Sequence, residues 1–380
     1  MKKHKKYNFK KIETAREDIN HASKEIKMDY NFVQNIISKE GYLPVKNPLS
    51  LGSVCDIDFL QSKFSCHYNL DKFNEVSKNK QCLVTGFGPT NAPTGGTLSM
   101  ILRAIFFERK TGIDSTIIIS NLGAYNSRNI NLEKIDYLTE RFVKFIRALN
   151  YKGELRTHNN FDLLVASSLT SKVLTIADFL ENKEATVDLY KKFRIQGKDF
   201  PTFMDANFTV ADILLPSILK KKERILVFVG IEECYFPKLA NIVLRRFNQH
   251  YPNQFTPRNT LVSSVFGHLV EGLNGFPKMS KSIPESSINL DDSKDDLKRK
   301  ILKCDPKDEK IILQMINLVS DWDLEKINAA NKAFKEGGAT WIKFKKDYLN
   351  YFMKLKNIWE TTANLKYKFK INSLFRQKYG

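Results

Sequence analysis

Cysteine and histidine are scarce, with five and six in 380 residues, and neither set is arranged for chemistry. Cys55, Cys66, Cys82, Cys234 and Cys304 are odd in number and scattered, without a CxxC pair. That excludes a disulfide framework and a cysteine zinc site, and it points to a reducing cytoplasm. The histidines show no HExxH or similar spacing, so no protein-held metal is expected. Long apolar runs are missing too. Stretches such as Ile225–Val229 fall far short of the roughly 20 residues that cross a bilayer, so no membrane role is expected. The lysines at the start (Lys2, Lys3, Lys5, Lys6) lead into no apolar segment and do not read as a secretory signal. Internal repeats are absent.

What is present is an ordinary apolar share, 42%, enough for a packed core and too much for a disordered tail. Lys and Arg number 61 against 42 Asp and Glu, a net +19, which favours a polyanionic partner. The charge concentrates in the last segment. From Lys343 to Gly380 there are ten Lys and Arg and two acids, interleaved with Phe344, Tyr348, Trp359, Tyr367 and Tyr379. Such a surface offers phosphate contacts and stacking platforms for unpaired bases. An amphipathic helix whose aromatics are simply core explains it equally well.

Three parts follow from the patterning: an N-terminal extension (1–80), an α/β domain (81–292) and a basic all-helical domain (293–380). The first holds a predicted helix near Asp29–Ser38 and a Pro/Gly-marked stretch (Gly41, Pro44, Pro48, Gly52). The second alternates β-rich runs at Cys82–Thr85, Ser115–Ser120 and Ile225–Gly230 with helical periods at Thr97–Lys110 and Asn131–Leu149, the pattern of a parallel sheet. In the third, Ile301, Ile311, Ile312, Met315 and Ile316 form an apolar stripe.

After the first run comes Gly86-Phe-Gly88-Pro-Thr90 and, further on, Gly95-Gly96 and a helix. A glycine-rich turn there can face backbone N–H groups toward a phosphate, although a plain Pro/Gly turn fits as well. It lacks the endings of a P-loop or a dinucleotide fingerprint. A sharper signal is Lys278-Met279-Ser280-Lys281-Ser282, followed by Ser286-Ser287-Ile288 and Leu290. This KMSKS block resembles that of class I aminoacyl-tRNA synthetases, nearest the tryptophanyl enzymes of the archaeal and eukaryotic kind and more loosely the tyrosyl ones.

The resemblance covers roughly Leu83 to Ile301 in pieces, and it implies a Rossmann-like catalytic domain of parallel sheet, a helical tRNA-binding domain and a homodimer. Lys278, Ser280 and Lys281 would be catalytic, the lysines holding the ATP triphosphate and stabilising charge as pyrophosphate leaves. Met279 and Ser282 would complete the ATP site with Gly86, Gly88, Thr97, Ser99 and Gly230. Val210-Ala-Asp212-Ile-Leu-Leu215 looks like the segment whose aspartate accepts the indole N–H of tryptophan, though Asp212 is also read as a helix cap. In Gly230-Ile-Glu232-Glu233, similar to the family's Gly-x-Asp-Gln, Glu232 would bind the ATP ribose and Glu233 the substrate amino group. Asn121 and Tyr125, after the second run, fall where ligands bind in open α/β sheets and are added to the amino-acid site.

One signature departs from the family. The HIGH slot holds Thr97-Leu98-Ser99-Met100, with no histidine for the phosphates and Ser99 in place of the glycine under adenine. The expected activity is ATP-dependent activation of an aromatic amino acid, tryptophan ahead of tyrosine, and its transfer to tRNA, with Mg²⁺ carried on ATP. The lost histidines keep two alternatives open: a paralogue with a non-tRNA acceptor or an antibiotic-related role, and a non-catalytic nucleic-acid-binding protein.

Overall fold

The run at Cys82 grows into β3 (Gln81–Phe87), the run at Ser115 into β4 (Asp114–Ile119), and that at Ile225 into β6 (Arg224–Gly230). The computed structural model describes residues 37–38, 41–46, 49–54, 56–127, 130–175, 177–178, 199–276, 278–279 and 283–363, without the side chains at 202 and 232. Four more strands complete the sheet: β1 (Leu43–Pro44), β2 (Phe64–Tyr68), β5 (Glu154–Thr157) and β7 (Leu261–Gly267). Their order is β1-β2-β7-β6-β3-β4-β5. The five strands from β7 to β5 run parallel, and β2 and β1 add an antiparallel edge. Strands β3, β6 and β7 are buried along nearly their whole length, as a parallel sheet covered on both faces requires.

Chain order and sheet order diverge at β3, which has β4 on one side and β6 on the other. Such a reversal opens a crevice at the carboxyl ends of the two central strands. The expectation that residues 1–80 form an extension needs revising: β1, β2 and the helix between them, α1 (Ile57–Lys63), belong to the sheet domain. Of the helix predicted near Asp29–Ser38, only residues 37–38 are described, and they are helical.

Helix α2 (Gly95–Thr111) follows β3, and the segment after β4 winds into α3 (Asn121–Ser127). In α4 (Leu132–Ala148) the predicted stripe is buried, and Asn131 caps the start by accepting from the Lys134 N–H at 2.8 Å. Two helices, α5 (Phe161–Ser171) and α6 (Asp199–Lys220), pack together, and α7 (Tyr235–His250) follows β6.

The last part is helical as expected, in α8 (Lys294–Leu302), α9 (Glu309–Leu318), α10 (Leu324–Glu336) and α11 (Gly338–Thr361). It does not close on itself. One apolar cluster runs from Phe64 and Phe107 through Met315 to Trp359. Trp359 lies edge-on and tilted against Phe145 and Phe142 of α4, beneath the Arg141 guanidinium at 3.8 Å, and donates its indole N–H to Asp291 at 2.8 Å. With Trp341, Tyr348 and Phe352 also buried, the core reading of these aromatics prevails over the stacking one. Tyr367 and Tyr379 lie outside the described residues. Among the described residues, no helix is long and apolar enough to cross a membrane.

Candidate active site

A cavity of about 610 Å³ occupies the crevice at the ends of β3 and β6. Gly86, Gly88, Thr97, Ser99, Asp212, Gly230, Glu233, Lys278 and Met279 all line it, so residues spread over nearly two hundred positions converge as expected. Ser280, Lys281, Ser282 and the side chain of Glu232 lie outside what is described. Asn121 and Tyr125 do not join the lining: Tyr125 is half exposed, and Asn121 is buried beneath the site. Position after a strand is the one signal that points to them, and the helical turn of α3 directs neither into the cavity's lining.

At the start of α2 the geometry suits an anion. Thr94 is the N-cap residue but makes no side-chain cap, and the first internal bond is Leu98 N–H to Thr94 O at 2.8 Å. The N–H groups of Gly95, Gly96 and Thr97 therefore lack intrahelical acceptors and carry the positive end of the helix dipole. Gly96 faces open space, with no atom within 4 Å of where a Cβ would sit. Gly95 is the opposite case: a Cβ would lie 2.4 Å from Met315 Sδ and 3.0 Å from Met279 Sδ. Through that contact the helix start touches both the KMSKS segment and α9. Met279 is held further by its N–H on Val270 O at 3.2 Å, and Leu290, downstream of the motif, bonds Pro93 O at 3.2 Å.

Toward β4 and β5 the cavity ends on a buried charged floor. Asp212 sits inside α6, more than two turns from either end, so the cap reading fails. Its Oδ1 is 3.4 Å from Arg156 Nη1, and its Oδ2 is 2.9 Å from His158 Nε2; all three side chains are almost wholly buried. The histidine tautomer follows from its other contact. Gly123 N–H donates to His158 Nδ1 at 3.2 Å, so Nδ1 accepts and Nε2 carries the hydrogen. The neutral ring's Nε2 lies close to Oδ2 but off the line of a hydrogen bond, and Oδ2 has no hydrogen-bond donor among the described residues. Asn121 acts one step back, its Oδ1 accepting from the His158 backbone N–H at 2.9 Å. Nearby hydroxyls are committed elsewhere: Thr209 donates to Asp205 O and Ser127 to Gly123 O. An unfilled buried acceptor calls for a donor from a ligand.

Arg156 and His158 escaped sequence reading because each stands alone, without a motif. Arg103 escaped for the same reason; it is buried in α2, lines the cavity and donates to Ser99 O and Lys63 O, each at 3.0 Å. Among the described residues no cysteine lines the cavity, and burial pushes the Cys66 and Cys82 thiols up to about 12. Among the described residues no group of three His, Cys, Asp or Glu side chains could hold a metal ion.

Comparison with known proteins places these features in a family. One curated relative is a tyrosine–tRNA ligase of Picrophilus torridus, 26% identical over 251 residues, spanning 64% of this chain and 73% of that one. Similar solved structures include a tryptophanyl-tRNA synthetase from Aeropyrum pernix, with TM-score 0.63 at 16% identity over 89% of this chain and 96% of that chain. Another is the tryptophanyl-tRNA synthetase of Encephalitozoon cuniculi bound to tryptophan, with TM-score 0.63 at 16% identity over 90% and 97%. A parasite tRNA synthetase, product-bound, reaches TM-score 0.66 at 18% identity over 90% and 96%. These structures share the fold. The model of the family "tRNA synthetases class I (W and Y)" matches residues 77–356, and the chain, an aminoacyl-tRNA ligase by descent, belongs to that family.

Proposed function

We propose that the protein activates tryptophan with ATP and transfers it to tRNA. The observation that carries this reading is the convergence on one cavity of Lys278, the uncapped start of α2 and the buried acceptor Oδ2 of Asp212. The substrate carboxylate attacks the α-phosphorus, a new P–O bond forms, and the bond to the β-phosphate oxygen breaks with its electrons leaving on pyrophosphate. Lys278 and the N–H groups of Gly95–Thr97 stabilise the charge that builds there, and Lys281 of the same motif is assigned the same task. Mg²⁺ on the nucleotide would share that charge. The terminal hydroxyl of tRNA then attacks the adenylate carbonyl, and AMP leaves. Glu232 is assigned to the ribose and Glu233 to the substrate ammonium, whose charge its carboxylate complements.

Tryptophan leads because Oδ2 of Asp212 lacks a hydrogen-bond donor and an indole N–H only donates. A phenol would bring lone pairs to a place where Thr209 and Ser127 already donate elsewhere. Tyrosine is the second reading, and it rests on His158: an N–H 2.9 Å from the carboxylate can turn to a phenol oxygen. Charging of tRNA with tryptophan, tyrosine and phenylalanine separates the cases. Tryptophan is expected to be accepted, and phenylalanine, which leaves Oδ2 unpaired, refused by roughly 10²-fold or more. Preferential charging with phenylalanine would sink this account of the floor.

A homodimer accompanies the reading. Phe161, Leu164 and Val165 form an exposed apolar stripe at i, i+3, i+4 on α5, suited to a second copy. Sedimentation should give twice the chain mass; a monomer at micromolar concentration would contradict it.

A further inference from the structure

Beyond β3 toward β7, the cavity holds an imidazole that no motif singles out. His268 directly follows β7, lines the cavity, and has its Nε2 2.8 Å from the carbonyl of Gln61 in α1. A carbonyl only accepts, so Nε2 carries the hydrogen and Nδ1 is left as the ring's acceptor. The state persists at neutral pH. Burial, with a smaller contribution from the Arg103 charge, lowers the imidazole below its ordinary range against the opposing bond to Gln61.

The surroundings suit a flat, mostly apolar ligand part. Met100, Leu269, Val270 and Met279 line the same cavity, the middle two next to His268 in sequence. Arg103 closes it from α2, its guanidinium against the end of β7: a Cβ on Gly267 would meet Nη1 at 2.0 Å. The anion-binding features, Lys278 and the start of α2, line the same cavity as the imidazole, so a nucleotide with its phosphates there has its base within reach of these walls.

We propose that His268 selects the nucleobase, its Nδ1 accepting a hydrogen bond from the exocyclic 6-amino group of adenine. Guanine would set its 6-oxo oxygen against the same lone pair, two acceptors face to face, and be rejected. This rests on the nucleotide-activating reading above.

Equilibrium dialysis of the full chain at pH 7.5 tests it with three nucleotides: ATP, GTP and purine riboside triphosphate, which lacks the 6-amino group. Wild type should bind ATP about tenfold more tightly than the purine analogue, and GTP more weakly still. In His268→Leu, checked for folding by circular dichroism, ATP and the analogue should bind alike, because the lost acceptor makes the amino group irrelevant. His268→Gln, which keeps an amide acceptor, should restore part of the difference. Equal binding of ATP and the analogue by wild type overturns the proposal whatever the variants do. So does an undiminished preference in folded His268→Leu. If wild type binds none of the three, the activation reading falls as well, which separates the two failures.

Discussion

Asp212 shows how far a single residue can be read in advance. The Ala-Asp-Ile-Leu context marked it as an acceptor for a substrate, and it does line the cavity with an unfilled oxygen. Nothing marked Arg156 or His158, which come from β5 and the turn after it and meet Asp212 only in three dimensions. Isolated charged residues carry no period or spacing, so pairing across 54 or more positions is invisible until the sheet places β5 beside α6. The pairing alters the experiment. Asp212→Ala would strip a carboxylate from a buried guanidinium and should destabilise the fold by about 3 kcal/mol, despite the remaining Arg156–Glu154 pair at 2.9 Å. Asp212→Asn keeps the volume and is the informative change. It should weaken amino-acid binding by ~1–3 kcal/mol and leave ATP binding as it was, measured as separate KM values in pyrophosphate exchange. A folded Asn variant with unchanged amino-acid KM would show the carboxylate to be structural only.

Elements were legible where their apolar residues were continuous or periodic. The buried runs of β3, β4 and β6 and the stripe of α4 announced themselves, whereas β7 was concealed by Ser263 and Ser264 in its middle. Ser263 is tolerated because its hydroxyl reaches Asn69 O at 2.7 Å, a partner no local pattern reveals. Strands β2 and β5 are short and polar, and their burial comes from neighbours. The glycine-rich entry to α2 fits a phosphate turn and a plain Pro/Gly turn equally in sequence, and its two helical glycines differ. Gly96 opens onto the cavity; Gly95 is where Met279 and Met315 close over the helix start. Gly95→Ala should therefore displace the KMSKS segment. Adenylate formation should slow ~10–100-fold, the scale for an ångström-sized misplacement of a catalytic group. Overpacking should cost about 1–3 kcal/mol of stability. A variant with wild-type rate in single-turnover adenylate formation would show that the contact does not set the loop.

For the whole molecule, sequence patterning distinguished α/β from helical segments correctly but missed their shared core. The ten cations after residue 342 are not all available to a polyanion. Lys345 and Lys356 are buried, the first on Glu309 at 2.7 Å and the second on Leu290 O at 3.1 Å. Deleting everything from Lys343 would remove Trp359 and most of α11 from the core, so loss of tRNA binding in that deletion would report unfolding. Deleting residues 364–380 avoids this and removes five cations, Lys366, Lys368, Lys370, Arg376 and Lys378. The truncated protein should keep adenylate formation while its tRNA affinity loses salt dependence, with a slope of log K against log salt shallower by up to about four. An unchanged slope would assign the phosphate contacts to another face. The central claim is that a KMSKS site with no signature histidine still activates an amino acid, its charge stabilisation coming from the lysines and the helix start. Amino-acid-dependent exchange of labelled pyrophosphate into ATP tests this most directly. The account predicts exchange with tryptophan, more weakly with tyrosine, and its loss by roughly two to three orders of magnitude in Lys281→Ala. ATP binding without exchange for any of the twenty amino acids would contradict it.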